Sequence, residues 1–461
     1  MFDLLIASLV AAAMHEPGWS SMPVLPAFVG DDPVDGAAVE EPSAAFDPTA
    51  GIGAAGEIVR PELPADLAHP SRWRYTPPGR IAPGNVFERF LVSTFFSPVI
   101  FRDEDVGTGG GLALTDIDFR NQDYREFANL LLTYTTEGQQ SYRINWRRWL
   151  EHRHLDAGGI IREERSSLFG SAGYSRTLTR RYFGRGSRTD ENDETSYTDE
   201  LTELGLGVRL SLPEPGGDVL ATGAVRFRGH GLSTGRVSDV PSTDESFGGD
   251  FADGDGVDQL WLDAGIAYDT RDSLHQPYEG WRVGFEAETA ALQTGGEFGG
   301  RFTFDSQVVL PVSPVLHAGG IEREENPPTD VVVLNGFIVD THGDLPFYDL
   351  PSLGGSRSLR GFIDNRFTDR AALHGSVEYR FGIVPRGFAF SPTFRIERVS
   401  LGLFYDFGTV ADGLGSLDDG RFHDSVGIGL RLSFAREAAF RFDYGVSDEG
   451  GNLAIRFGYA F

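Results

Sequence analysis

Cysteine is absent from this chain, and methionine is scarce, with 3 in 461 residues. No disulfide can staple the fold, and no thiolate can hold a metal. Basic residues are outnumbered: 40 Lys and Arg stand against 68 Asp and Glu, for a formal charge of −28. That balance excludes nucleic acid as a partner, because phosphate contact needs a basic surface. Also missing is any apolar run of the ~20 residues that a membrane-crossing helix takes. Glycine (59) and phenylalanine (35) are plentiful instead. Such a composition suits an all-β chain with many turns.

The apolar stretch Leu4 to Met14 ends in Ala11-Ala12-Ala13. Residues 1–14 read as a secretory signal peptide, although Asp3 precedes the stretch and no Lys or Arg does. Residues 15–84 are rich in Pro, Ala and acids, as in Asp31-Asp32-Pro33 and Glu40-Glu41-Pro42. They show no sustained period and too little apolar surface to order themselves, so they read as a disordered N-terminal segment.

From about Phe87 the period becomes two. At the C-terminus Leu453, Ile455, Phe457, Tyr459 and Phe461 point one way, while Ala454, Arg456, Gly458 and Ala460 point the other. Phe440, Phe442 and Tyr444 alternate with Arg441, Asp443 and Gly445. Val426, Ile428, Leu430 and Leu432 alternate with Gly427, Gly429, Arg431 and Ser433. One wholly apolar face and one face of small or charged residues is what lipid outside and water inside require. Backbone groups in lipid must all be paired, and only a closed sheet achieves that without a helix.

The predicted fold is therefore an all-β, transmembrane antiparallel β-barrel over residues 85–461, of about 16 strands. Eleven strand-like segments precede a Gly-rich loop, from 109–118 to 314–320 and 331–339. Five follow it, from 373–382 to 452–461. Insertions at 150–170, 185–200, 230–257 and 341–371 read as extracellular loops. The acidic run Asp190 to Glu194 reads as a solvated loop tip, with divalent cations bridging it to lipopolysaccharide as the alternative.

Within the Gly-rich loop, Leu359-Arg360-Gly361-Phe362 resembles the VRGF/Y motif of the BamA/TamA-like bacterial surface-antigen barrels. Leu373 to Phe381 is similar to the strand that follows that motif. Tyr405-Asp406-Phe407-Gly408-Thr409-Val410 resembles the family's aromatic-Asp-x-Gly-x-Val strand end. Asp269-Thr270-Arg271-Asp272 with Pro277 and Gly280 resembles its D-x-R-D…P-x-x-G turn. Phe457, Tyr459 and Phe461 are like the C-terminal targeting signal of outer-membrane barrels. The five motifs stand in family order over the last ~200 residues, and nothing before residue 85 resembles the family's periplasmic POTRA domains.

The resemblance implies a loop folded inward, with Arg360 paired to Glu378 and Asp406. Alternation independently turns both acids toward the lumen, because Val377, Tyr379, Tyr405 and Phe407 take the lipid side. A guanidinium offers a planar fork that can bridge two carboxylates. Gly354, Gly355 and Gly361 let the loop turn tightly and approach the wall.

No catalytic constellation appears, and no cofactor is implied. Glu151, His152 and His154 lack an evident further ligand, and Ser356 and Ser358 lack a neighbouring His base. The resemblance implies an outer-membrane location, outer-membrane lipid and lipopolysaccharide as surroundings, and a role in inserting or translocating client outer-membrane or secreted polypeptides. The alternative is a structural or channel-forming barrel without insertase activity.

Overall fold

A computed structural model describes residue 47 and residues 50–54, 56–81, 93–103, 105–251, 256–296, 298–321, 324–389, 395–434 and 438–457. The signal peptide read at 1–14 and the targeting residues Tyr459 and Phe461 lie outside these.

Sixteen antiparallel strands follow one another in a single sheet, each paired to its neighbours in sequence order. They are β1 (Thr94–Asp103), β2 (Gly107–Asp116), β3 (Glu126–Thr135), β4 (Gln140–Trp149), β5 (Ser167–Tyr182), β6 (Thr195–Leu212), β7 (Val219–Thr234) and β8 (Asp258–Asp269). The sheet continues with β9 (Gly280–Gln293), β10 (Gly299–Val312), β11 (Asp330–Gly343), β12 (Ala371–Val384), β13 (Arg398–Ala411), β14 (His423–Phe434), β15 (Ala438–Ser447) and β16 (Gly450–Phe457). No described helix is long and apolar enough to cross a membrane.

The burial pattern is inverted relative to a soluble protein. On β8, Leu262 and Ile266 are 48% and 59% exposed, while Trp261 and Asp263 between and beside them are buried. On β9, Trp281, Val283 and Phe285 face out and Glu288 faces in. Large apolar side chains outside and charged ones inside fit a barrel whose exterior meets hydrocarbon. Contacts between connections far apart in the strand order show that the sheet curls. Ser187, between β5 and β6, accepts from the Arg421 N–H beside β14 at 2.9 Å, and its carbonyl lies 2.7 Å from Nε2 of His423.

Strand alternation puts the connections 183–194, 235–257 and 344–370 at one end of the barrel. The turns 213–218, 270–279 and 313–329 lie at the other. The insertion near 150–170, expected with the first group, belongs to the second: β4 runs down to it and β5 runs back up. The insertions 150–170 and 185–200 flank a single strand, β5, so they lie at opposite ends. The strand absent from the predicted set is β1. Pro98 interrupts its run, yet β1 stands at the end of the strand order, where a residue without an N–H is tolerated. Conversely, 314–320 is no strand. Pro314 and the pair Gly319-Gly320 cut it short, and the Val315 N–H turns back to the Asp330 carboxylate at 3.0 Å.

Residues 56–81, expected to lack order, are packed at the turn end. Trp73–Thr76 pairs with Ile160–Glu163, which pairs with His152–His154. Trp73, Leu67 and Ile161 form a buried cluster with Leu63 and Tyr75 around it. Arg72 donates to Asp218 at 2.6 Å and to the Gly216 carbonyl. Proline-rich composition hid an apolar spacing whose partner sits about 90 residues downstream in the chain.

Candidate functional site: a loop inside the barrel

The connection 344–370 turns into the lumen. Leu353, Leu359, Phe362 and Phe367 from the loop pack with Ala372 of β12 and Val410 of β13 in a wholly buried cluster. Phe367 stacks on His423 with ring centres 3.8 Å apart. Nearer its start, Leu345 and Leu350 pack on Trp261 and Ala290. Asp349 there accepts from Arg228 at 2.5 Å and from Gln259 at 2.8 Å. One loop thus touches both arms of the sheet, β7–β9 and β12–β16.

Tight turns take it there. Gly354 and Gly355 have φ of +120° and +74°, in the half of conformational space that L side chains avoid. A Cβ at either position would also strike loop backbone or side-chain atoms of Ile363 or Asp364. Gly361 meets the wall: a Cβ there would lie 2.7 Å from Cβ of Ser425 and 2.8 Å from the carbonyl carbon of Val446. Gly445 completes the approach from the wall's side, with a virtual Cβ 2.6 Å from the Arg360 carbonyl carbon.

Between these glycine contacts, Arg360 is fully buried. Its Nε and Nη2 donate to the two oxygens of Asp406 at 2.8 and 2.7 Å. Nη1 donates to Glu378 at 2.7 Å, and the backbone N–H reaches Asp406 at 3.2 Å. The guanidinium lies 3.5 Å from the ring centre of Phe404, one residue pair below Asp406 on β13. Register explains the convergence. Ser376 pairs with Asp406 across β12 and β13, and the Ser376 hydroxyl donates to that carboxylate at 2.7 Å.

Further charges join the cluster. Glu378 also accepts from Arg380 at 2.7 Å and from Arg431 of β14 at 2.8 Å. Arg431 bridges on to Asp443 of β15 at 2.6 Å, and Arg441 approaches the same acid at 2.7 Å. Four arginines alternate with three carboxylates, from the loop across four adjacent strands, so no charge of this buried cluster stands alone. Arg380, Phe404, Arg431, Arg441 and Asp443 were not assigned to the site from sequence. Their signal was present: each occupies the inward parity of its strand.

The loop also grips the last hairpin. Asn452 of β16 donates to the carbonyls of Phe362 and Arg360 at 2.9 and 3.3 Å. The Ser447 hydroxyl donates to the Gly361 carbonyl at 3.1 Å. Arg366 makes a bidentate pair with Glu449, in the turn between β15 and β16, at 2.7 and 2.8 Å.

The second predicted motif is a brace at the turn end, apart from this cluster. Arg271 donates to both oxygens of Asp269, at 3.0 and 2.7 Å, and to Gln307 at 2.6 Å. Asp272 accepts from the N–H groups of Tyr278 and Glu279 at 3.0 and 3.2 Å, closing the turn that carries the buried Pro277. Gly280 has φ +103°, and a Cβ there would lie 2.6 Å from Cα of Arg271. Phe457 pairs by backbone with Phe440 at the end of β16. His152 and His154 sit edge to face on the small sheet, and no described group of three His, Asp or Glu could hold a metal.

Residues 127–461 match the Omp85 superfamily domain. No curated protein matches the sequence. Among solved structures, the chain is similar to BamA from Haemophilus ducreyi lacking POTRA domains 1–3, at 14% identity and a TM-score of 0.46, covering 79% of this chain and 69% of that one. It is similar to CdiB from Acinetobacter baumannii at 12% identity and 0.46, covering 81% and 66%. For CdiB from Escherichia coli the figures are 11% and 0.49, with 79% and 61% covered. The chain therefore spans about two thirds of the length of these proteins.

Proposed function

The chain belongs to the Omp85 superfamily of bacterial outer-membrane barrels, and from that premise we propose that it assists the insertion or translocation of polypeptides at the outer membrane. One observation carries the reading: the lumen loop is bonded at once to the β12–β13 wall through Arg360 and to the β15–β16 hairpin through Asn452, Ser447 and Arg366. A loop so placed couples the lumen to the last strand. In the strand order β16 stands at one end of the sheet, with β1 at the other. An incoming edge strand can pair where a terminal strand yields.

In this reading Arg360, Glu378 and Asp406, with Gly354, Gly355, Gly361 and Phe362, lock the loop. Asp269, Arg271, Asp272, Pro277 and Gly280 hold the turn end rigid. The surroundings are outer-membrane lipid and lipopolysaccharide, and the clients are outer-membrane or secreted polypeptides. Depletion tests it. Loss of the protein should lower the level of at least one other folded outer-membrane or secreted protein, and complementation with an Arg360→Ala chain should restore it poorly. If every other such protein assembles normally, the insertase role fails and the alternative, a channel-forming or structural barrel, takes its place.

A further inference from the structure

Below the loop, the lumen holds a cavity of about 570 Å³. That is within the ~300–1,000 Å³ range of small-molecule sites. Its lining includes Arg147 of β4, Arg209 of β6, Arg282 of β9, and Arg271 and His275 of the turn 270–279, against Glu286 and Asp305. Alternation makes these side chains converge. Leu210, Leu212, Trp281, Val283, Phe302 and Phe304 face lipid, so Arg209, Arg282 and Asp305 face inward.

The cations are unequally matched. Arg271 is held by Asp269 and Arg282 by Asp305. Arg147 donates to Nε2 of His275 at 3.3 Å. Arg209 makes no hydrogen bond or ion pair to any described residue and only flanks the Phe169 ring at 5.9 Å. Glu286 is the one lining acid without an ion pair among the described residues. In a chain of formal charge −28, this chamber is locally basic. The low-dielectric barrel wall behind it concentrates that field.

We propose that the chamber is an anion-binding site for a small phosphate- or carboxylate-bearing solute, with Arg209 as its primary donor and Arg147 beside it. The guanidinium fork of Arg209 commits no polar hydrogen to a described residue, which is the state a bidentate oxyanion contact requires. The inference goes beyond the proposed role in polypeptide insertion and stands without it.

The test is calorimetric titration of inorganic pyrophosphate into the full chain folded in detergent at low salt. Saturable one-site binding that weakens with added sodium chloride is expected. Arg209→Gln should reduce affinity at least about tenfold, while Arg209→Lys should keep part of it. Gly265→Asp is the second variant. A Cβ at Gly265 has nothing closer than 3.6 Å, so the chamber has room, and the new carboxylate would occupy the field. It should likewise reduce affinity at least about tenfold. Absence of saturable binding to the wild-type chain would overturn the proposal, as would wild-type affinity in folded Arg209→Gln or Gly265→Asp protein.

Discussion

Replacing Arg360 with alanine removes four guanidinium hydrogen bonds: two to Asp406, one to Glu378 and one to Ser376. The two acids do not suffer equally. Glu378 keeps Arg380 at 2.7 Å and Arg431 at 2.8 Å. Among the described residues, Asp406 keeps hydrogen bonds from uncharged donors alone, the Ser376 hydroxyl and the residue-360 backbone N–H. Breaking a buried pair so that one charge is orphaned costs about 3–5 kcal/mol. Asp406→Ala should cost less, because Arg360 would retain Glu378 at 2.7 Å with Asp443 at 3.8 Å. The double variant removes the orphan as well as its partner, so its loss should fall short of the sum of the singles by about 1–3 kcal/mol. Urea unfolding from lipid vesicles, followed by tryptophan fluorescence, measures the cycle. Trypsin access to Arg357 and Arg366 in the loop gives a local readout and should rise in Arg360→Ala. Additive single effects with unchanged cleavage would refute the claim that this pair holds the loop.

Gly361→Val should destabilise the loop by about 1–3 kcal/mol, since its Cβ would press on Ser425 and the Val446 backbone; slower folding and raised trypsin access would be the sign. Leu262→Arg places a charge on the lipid face near the middle of β8 and should cost about 2–4 kcal/mol in vesicle unfolding, whereas a wet-facing or solvent-exposed position would tolerate the same residue. Gly280→Ala should weaken the turn end through backbone strain of about 1–3 kcal/mol, read as lower urea resistance with the loop-end trypsin pattern unchanged.

Much of the architecture was legible because a barrel wall is written two residues at a time. Val377 against Glu378 and Tyr405 against Asp406 disclose their faces by alternation, and the structure buries both acids while exposing Val377 and Tyr405. Alternation reveals a face but not a partner across it. The reach of Arg431 to both Glu378 and Asp443 depends on the register of three strand pairs, which no single segment encodes. Errors came where local signals compete. Pro98 interrupts the run of β1, a strand that its position at the end of the sheet permits. Val315 and Leu316 argued for a strand where Pro314 and a glycine pair make a turn. Residues 56–81 looked unable to order because their apolar partners, Ile161 and Leu155, lie in another loop. The strand total still came to sixteen because one omission offset one excess.

The most direct test of the inward loop exploits the absence of cysteine from the chain. Ser356 in the loop is 3% exposed, while Ser416, between β13 and β14 at the same end of the barrel, faces solvent. In intact cells, a membrane-impermeant maleimide should label Ser416→Cys rapidly and leave Ser356→Cys protected. Adding Arg360→Ala to Ser356→Cys should release that protection. Equal, rapid labelling of both single variants would place the loop outside the lumen and contradict the account.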